Sequence, residues 1–530
     1  MKRFVISLCY CLIASSFFLS CHKDTKKQVN HLKIAISEEP TTLDPRFATD
    51  LASMTTIKML YEGLIRLNCF GKPQYAIAEK IEISPDQKTY TIHLKESKWS
   101  DNSPLTAQDF EETWFSVLDP KNLAPNAYQL FMIRGAKDFH LNKVSKNEVG
   151  IKASDSKTLV VEIEKPIPYF ITLLSSPFFL PVHKTLRQTE EIEGANVPSN
   201  GPFTLKDWKK HNELSLTKNY NYVENKQVVF TDIELDVLDE NIAYQMFLSN
   251  DLDWAGSPMS TLPQDSLQAL KHRNLIRYLQ AAGTHWLRFN TNDPIFSNKH
   301  FRQALSYAIN RKDIVDHVTQ GHQTPALAIV PPIMGLTSKG YFQDSDNPKA
   351  WEAFQLALKE LKIDNDQIPE LVLSYGASER EHKIAQVLQQ QWQKIFSIPI
   401  RLEKVESKSY LAKVKSGNYQ IAIGSWFADF MDPMNFLEIF KSKANSSNRT
   451  GWENETYTTI LNQSDEETDE TKRKELLIQA EKILMDEMPV APLFFSTFNF
   501  LKSENGQHVS LIPLGYFNFN CNELTYDSIP

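Results

Sequence analysis

The sequence predicts an α/β protein of two or three lobes, and its length, composition and one strand–helix–strand unit carry that prediction. A chain of 530 residues is too long for one ordinary hydrophobic core. Hydrophobic residues make up 42% and charged residues 23%, which is typical of a globular protein and not of a disordered one. Two apolar segments, 371–375 and 398–402, flank a helical pattern, and this unit predicts a partly parallel sheet.

The remaining elements follow from the periodicity of apolar residues along the chain. Alternation predicts strands at 32–36, 90–94, 159–163, 233–237 and 419–424. One-sided apolar faces predict helices at 54–64, 301–309, 354–361, 384–395 and 471–487. The acidic run at 465–470 precedes the last helix, so we interpret it as a solvated face that complements the helix dipole.

The N-terminus is typical of a targeting segment. Lys2 and Arg3 precede an apolar stretch that is too short for a comfortable membrane span and ends in Leu19-Ser20-Cys21. This ending resembles a bacterial lipobox, so we predict that Cys21 is lipidated and anchors the mature chain, with 21–31 as its tether. The alternative is a chance cysteine in an ordinary signal peptide. No other apolar run is long enough to cross a membrane.

Net charge, cysteine content and the absence of enzyme motifs limit the classes of function that this protein can have. The net charge of −8 and the lack of a basic face argue against a nucleic-acid partner. Besides Cys21, the mature chain retains Cys69 and Cys521, which form either one disulfide or two separate buried thiols. Phosphate-loop, dinucleotide, serine-hydrolase and zinc-protease motifs are missing from the sequence. We therefore expect no enzyme activity, no cofactor and no metal.

Trp426 to Pro433 is the most informative local stretch. Three aromatic residues surround Asp429, and the nearest downstream cation is Lys441. A carboxylate in an apolar setting is costly unless a cation pairs with it. One interpretation is that a ligand brings the cation. The other is that Asp429 caps a helix that begins near Pro433.

Six motifs in order carry a family resemblance. They are Ser37–Pro45, Leu60–Leu64, Lys98–Phe110, Asn200–Phe203, Phe301–Arg311 and Trp426–Pro433. In this order and spacing the chain resembles the extracytoplasmic oligopeptide- and dipeptide-binding proteins of ABC importers, solute-binding protein family 5. Two positions depart from the family pattern: Asn102 stands where Gly is usual, and Asn200 where Thr is common.

The resemblance implies how a ligand is bound. An extended peptide lies between two lobes, pairs its backbone like an added strand and places its amine on a carboxylate, which by motif match is Asp429. Trp426 and Phe430 wall the slot, and Gly424 and Ser425 offer backbone groups. On the first lobe Thr49 and Leu51 match another ligand-contacting stretch. The alternatives are core packing for Trp426 and for Leu51.

One position puts recognition of the peptide's other end in doubt. Some relatives carry an Arg just before the Trp motif, able to pair with the C-terminal carboxylate, and Ile423 stands at that position here. An apolar side chain cannot make such a bidentate contact. The sequence therefore predicts weak recognition of the carboxylate, unless the fold brings in a distant residue.

The resemblance also implies the fold, the domain layout and the function. The expected fold is a two-lobed, type II-like periplasmic-binding-protein fold with a small α+β lobe inserted in the first lobe. The expected segments are a signal peptide 1–20, a tether 21–31, lobe I at 32–71, 191–285 and 494–530, lobe II at 72–190, and lobe III at 286–493. We expect a monomeric lipoprotein in the periplasm or on the cell surface that captures oligopeptides and delivers them to an ABC permease. Alternatives are another solute, such as a cell-wall peptide or a nickel complex, and a role as adhesin or chaperone.

Overall fold

A computed structural model describes residues 30–187 and 197–520. The predicted signal peptide, Cys21 and Cys521 lie outside the described residues. Cys69 is disulfide-bonded. No helix in the described part of the chain combines the length and apolarity needed to span a membrane.

The described strands fall into one large sheet and several small ones. In chain order they are β1 (His31–Ile36), β2 (Ile65–Leu67), β3 (Pro73–Tyr75), β4 (Ala78–Ile83), β5 (Thr89–Leu94), β6 (Ser97–Lys98), β7 (Pro104–Leu105), β8 (Ile151–Asp155), β9 (Thr158–Glu162), β10 (Phe203–Lys209), β11 (Glu213–Lys218), β12 (Asp232–Val237), β13 (Trp254–Gly256), β14 (Ile276–Phe289), β15 (Thr324–Pro325), β16 (Leu371–Tyr375), β17 (Ile400–Lys404), β18 (Ile421–Phe427), β19 (Val490–Lys502), β20 (Ser510–Leu511) and β21 (Phe517–Asn518).

The described α-helices cover the faces and ends of these sheets. In chain order they are α1 (Leu51–Leu60), α2 (Ala107–Leu118), α3 (Ala136–His140), α4 (Phe170–Leu173), α5 (Lys184–Arg187), α6 (Glu240–Leu248), α7 (Leu267–His272), α8 (Lys299–Tyr307), α9 (Arg311–Asp313), α10 (Asn347–Leu361), α11 (Glu379–Phe396), α12 (Ser407–Lys415), α13 (Met434–Leu437), α14 (Glu455–Glu466) and α15 (Glu470–Glu487).

The large sheet joins two halves through two long strands. Its order is β10-β11-β12-β1-β13-β19-β14-β18-β16-β17, with β15 paired to β19 off this path. β14 and β19 run antiparallel, and their register shifts between Gln280 and Thr284. On the side of the shift that contains Gln280, β19 also pairs with β13. On the side that contains Thr284, β14 also pairs with β18. Both halves of the sheet therefore share the same pair of strands.

The predicted strand–helix–strand unit is confirmed. β16 and β17 pair in parallel over five residue pairs, and α11 connects them. The apolar face of α11 is buried at Ile384, Leu388 and Trp392. β1 and β12 also pair in parallel, so the chain returns beside its first strand as the alternation at 233–237 predicts.

The smaller lobe is a separate four-stranded sheet, ordered β4-β5-β9-β8, with α2 packed against it. The turn before β7 explains one departure from the family pattern. Asn102 has a φ of +71°, in the left-handed region that glycine adopts freely and asparagine tolerates. Asn102 can therefore stand where relatives have glycine.

Helix α1 ends at Leu60, four residues earlier than predicted, because a second motif packs against its end. The Asn200 side chain accepts a hydrogen bond from the N–H of Glu62 at 3.1 Å and donates one to its carbonyl at 2.8 Å, which holds the chain extended. A Cβ at Gly201 would lie 2.7 Å from the carbonyl carbon of Leu60. Two of the six family motifs, Leu60–Leu64 and Asn200–Phe203, are therefore in direct contact.

The Phe301–Arg311 motif is also architectural. The Arg302 side chain is 2% exposed and donates to the carbonyls of Glu487 and Met488 at the end of α15. It also donates to the carbonyls of Phe296 and Ser297 before α8. Carbonyls at a helix C-terminus have no partner within the helix, and a guanidinium supplies several donors at once. Arg302 therefore ties α8 to α15.

We expect Arg302→Met to lower the free energy of unfolding by about 3 kcal/mol or more, because it leaves buried carbonyls without donors. Lys299→Met is the matched control, since Lys299 forms a partly exposed ion pair on the same helix, which is worth about 1 kcal/mol or less. Urea unfolding of both variants gives the comparison. Equal destabilisation of the two variants would contradict the role of Arg302.

Candidate ligand-binding site

A cavity of about 430 Å³ lies between the smaller lobe and the second half of the large sheet. The smaller lobe contributes Gln129 and Tyr169, and the segment after β18 contributes Asp429 and Phe430. Trp426, at the end of β18, also lines the cavity. The cavity therefore brings together three of the predicted site residues with groups from a distant part of the chain.

Asp429 faces this cavity and has amide partners but no cation. Side chains of Asn435 and Gln129 hydrogen-bond its carboxylate and lower its pKa. Burial has the larger effect and raises the pKa to about 6. In the described part of the chain, no Lys, Arg or His forms an ion pair with it. Its charge is thus held in place and left uncompensated.

The helix cap, which was the alternative role for Asp429, is a neighbouring residue, Asp432. The carboxylate of Asp432 accepts the N–H of Met434, the first residue of α13, at 2.9 Å. Arg473 makes two further bonds to the same carboxylate, at 2.8 and 2.9 Å. Asp432 is therefore the structural acid of this loop, and Asp429 remains available to a ligand.

The two aromatic residues predicted to wall the slot, Trp426 and Phe430, line the cavity and also pack against other parts of the protein. The indole N–H of Trp426 donates to Oδ1 of Asn435 at 2.8 Å, and its ring packs beside the neighbouring core. Phe430 stacks on Tyr169 of the smaller lobe, with ring centroids 5.1 Å apart and planes 6° apart. The predicted slot residues thus also join the two sides of the cavity.

β18 extends further than predicted, and one of its edges is open. The strand begins at Ile421, after the predicted start at Tyr419, and continues through Trp426. β14 pairs with β18 along its whole length, but β16 pairs only with Ile421 and Ala422. Within the described residues, the edge from Ile423 to Phe427 therefore has no neighbouring strand.

Backbone geometry identifies the groups on this edge. N–H and C=O groups of alternate residues point to the same side of a strand. The carbonyl of Ile423 accepts a hydrogen bond from the Tyr410 hydroxyl, on the side away from β14. Ser425 and Phe427 therefore direct their backbone groups to the same open side, which suits the addition of a ligand strand.

Thr49 and Leu51 lie elsewhere. Thr49 is exposed, and Leu51 is the first residue of α1, 39% exposed and close to Gly515. Asp50 between them caps α1 by accepting the N–H of Ser53. Neither Thr49 nor Leu51 is part of the lining of the cavity around Asp429.

Sequence reasoning missed Arg288, which comes from the adjacent strand. Its guanidinium covers Gly424, where a Cβ would lie 1.7 Å from Nη1, and it donates to the Ser425 carbonyl at 3.4 Å. Arg288 is 8% exposed, and no described carboxylate forms an ion pair with it. Burial and, to a smaller extent, Arg449 lower its pKa, against opposing effects of Tyr410, Tyr419 and Glu381. Among the described residues, the buried Nε of Arg449 has no hydrogen-bond partner either.

The acidic run before α15 is not only the solvated face that the sequence suggested. Asp465 is 4% exposed, and its Oδ2 accepts from Lys165 and Lys441, each at 3.1 Å. Lys165 belongs to the smaller lobe, so this ion pair crosses the cavity. Asp469 does cap α15, as a dipole complement is expected to do. No local pattern separates Asp465 from its exposed neighbours.

Comparison with known proteins identifies the family. The model of bacterial extracellular solute-binding proteins, family 5, matches residues 72–448. The chain belongs to this family, as the order of the six motifs predicted. Its fold is the two-lobed fold of periplasmic binding proteins.

Several individual relatives are similar over nearly their whole length. The oligopeptide-binding protein OppA of Bacillus subtilis is 40% identical over 91% of this chain and 90% of its own. The structure of the Escherichia coli murein tripeptide binding protein MppA has a TM-score of 0.77 and 28% identity, covering 92% and 96% of the two chains. Haemophilus influenzae OppA in complex with RPPGFSPFR has a TM-score of 0.76 and 25% identity, covering 93% and 98%.

The uncompensated charge of Asp429 predicts that the site lowers stability at neutral pH. A pKa raised from 3.8 to about 6 means that the folded protein binds the proton more tightly than the unfolded chain. Ionisation then costs up to about 3 kcal/mol above pH 6, and nothing below about pH 4. We expect Asp429→Asn, in the ligand-free protein, to raise the free energy of unfolding at pH 8 by up to that amount.

Asp469→Asn is the control for this pH profile, because Asp469 is an exposed helix cap whose pKa is lowered by backbone N–H groups. It should not gain stability at pH 8. Urea unfolding between pH 4 and pH 8 measures both variants. A gain for Asp429→Asn that does not shrink as the pH falls through 6 would contradict the raised pKa.

Proposed function

We propose that this protein captures oligopeptides between its two lobes and delivers them to the permease of an ABC importer. The observation that carries the proposal is the open edge of β18, with an uncompensated carboxylate at one end and a buried guanidinium at the other. A peptide has the matching groups: an edge of backbone donors and acceptors, an amine and a carboxylate. The names of the relatives, which include oligopeptide-binding proteins, support the same conclusion.

The amine end of the ligand is assigned to Asp429. The peptide backbone would pair with Ser425 and Phe427, and the amine would then meet the carboxylate just past the end of the strand. Main-chain hydrogen bonds contribute about 1 kcal/mol net each and do not depend on side chains. The ammonium group would replace the missing cation beside Asp429, which makes a free amine a condition for tight binding.

The carboxylate end is assigned to Arg288, with Arg449 beside it. The sequence alone predicted weak recognition here, because Ile423 stands where some relatives have Arg. Arg288 offers a guanidinium at the Ser425 carbonyl from the neighbouring strand, so it can take over that role. A buried guanidinium without a counter-ion favours an anionic ligand group.

Closure of the two lobes depends on β14 and β19. We propose the lobe boundaries at 285/286 and 493/494, near the register shift that these strands share. Contacts across the cavity, such as Tyr169 on Phe430, would then belong to the closed arrangement and would break when the lobes open. A single chain supplies both charged ends and both walls, which supports a monomeric carrier.

The anchor is assigned to Cys21, from the apolar segment and Leu19-Ser20-Cys21. A lipidated Cys21 would hold the carrier at a membrane on the extracytoplasmic side, close to a permease. The tether 21–31 would separate the lobes from the membrane surface.

Removal of the carboxylate should weaken peptide binding strongly. Asp429→Ala should cost about 3–5 kcal/mol, which is the usual loss when one partner of a buried charge pair is removed. N-acetylation of the peptide should cost a similar amount, and the two losses should not add, since each removes the same contact. Calorimetry on the four combinations measures this. Tight binding of an acetylated peptide by the unchanged protein would contradict the assignment of the peptide amine to Asp429.

The carboxylate end has its own test. Amidation of the peptide's C-terminus should cost about 2 kcal/mol or more with the unchanged protein, and little with Arg288→Met. Arg401→Met is the matched control, because Arg401 is an exposed arginine of the same lobe that pairs with Glu370. Equal affinities for the free-acid and amidated peptides would show that Arg288 does not hold the carboxylate.

Lipidation is tested in cells. Cys21→Ala should remove the lipid, because no other residue supplies a thiol at that cleavage position. Cell fractionation with a radiolabelled fatty acid measures the label on each protein. Equal labelling of the two would refute the anchor.

A further inference from the structure

The carboxylate of Glu438 also lines the cavity. The binding mode proposed above uses one charged group for each end of the peptide and leaves Glu438 without a role. Glu438 lies just after α13 and lines the same cavity as Asp429. The other acids nearby, Asp432 and Asp465, are paired with basic side chains of the protein. Within the described ranges, the Glu438 carboxylate accepts no hydrogen bond and forms no ion pair. It is therefore a second acid of the cavity, besides Asp429, that forms no ion pair within the described residues.

The surroundings of Glu438 favour a cation. Its pKa is raised to about 8, mainly by burial and also by Asp465, Asp429 and Asp432, while Lys441 has a lowering effect. Tyr128 and Tyr169 line the same cavity as Glu438. Independently, the buried Oδ1 of Asp465, a residue that is 4% exposed and lines the same cavity, has no hydrogen-bond partner in the part of the chain that the structure describes.

The position of Glu438 relative to Asp429 limits which ligand group it can meet. Both residues come from the chain segment that follows β18, and both line the cavity. In a peptide, the first side chain branches from the carbon that bears the amine. If the amine is on Asp429, this side chain starts on the carbon next to that amine and so lies in the cavity that Glu438 also lines.

We propose that Glu438 is a specificity-determining residue that selects ligands whose first residue has a cationic side chain, lysine or arginine. The proposal rests on the function proposed above, because it requires the amine at Asp429. A cation there would pair with Glu438 in a setting that largely excludes water, where such a pair is stronger than on an exposed surface.

The test compares two tripeptides that differ in one charge. Lys-Ala-Ala should bind the full mature protein about 10-fold or more tightly than norleucine-Ala-Ala, by calorimetry at pH 7. Glu438→Gln should abolish most of this preference and leave the affinity for the neutral peptide nearly unchanged. Glu475→Gln, an exposed acid on α15, should keep the preference. Ala-Lys-Ala should show no gain, because its cation sits one residue further along.

Proton release gives a second measurement that needs no variant. A cation that binds to Glu438 lowers its pKa from about 8, so binding of Lys-Ala-Ala at pH 7 should release close to one proton. The apparent enthalpy should then vary with the ionisation enthalpy of the buffer. The neutral peptide should show a much smaller variation.

The outcomes separate this inference from peptide binding itself. Equal affinities for Lys-Ala-Ala and norleucine-Ala-Ala, both measurable, would overturn the role of Glu438 and leave the proposed function intact. A preference that survives in Glu438→Gln, or an equal gain for Ala-Lys-Ala, would also overturn it. Failure of every free peptide to bind would overturn the proposed function, and this inference with it.

Discussion

β14 and β19 are the constraint on which the arrangement of the molecule depends. Each strand passes through both halves of the large sheet, so the halves can move only as far as this antiparallel pair bends. The register shift between Gln280 and Thr284 interrupts the ladder where the two halves meet. β18 is hydrogen-bonded to β14 just beyond that point, which puts the open edge of β18 next to the line about which the lobes would turn.

The unpaired charges of the candidate site lower the free energy of unfolding of the ligand-free protein. Asp429, just past the end of β18, and Arg288, on β14, are both desolvated, and neither forms an ion pair within the described residues. The protein could have paired these charges internally, as it does for Asp432 with Arg473 and for Asp465 with two lysines. Leaving two opposite charges apart, joined by an open strand edge, makes the free protein less stable and a zwitterionic ligand complementary to it.

The difference between what the sequence predicts and what it misses follows from sequence distance. Asp429 and Trp426 are recognisable because a charge among local aromatics is unusual, and the unit from β16 to β17 because its periodicity is local. Arg288 and Asp465 have no such signal. Each acts through residues more than a hundred positions away, Ser425 for the first and Lys165 for the second. Thr49 and Leu51 were matched through a short motif, which does not show where side chains point, and they lie outside the lining of the cavity around Asp429.

The most direct measurement is mass spectrometry of the ligands that remain bound when the mature protein is purified from its natural source. A site with an acid at one end of an open strand edge and a guanidinium at the other should retain peptides whose amino and carboxyl termini are both free. Retention of peptides blocked at the amino terminus, or of solutes that lack a primary amine, would contradict the account.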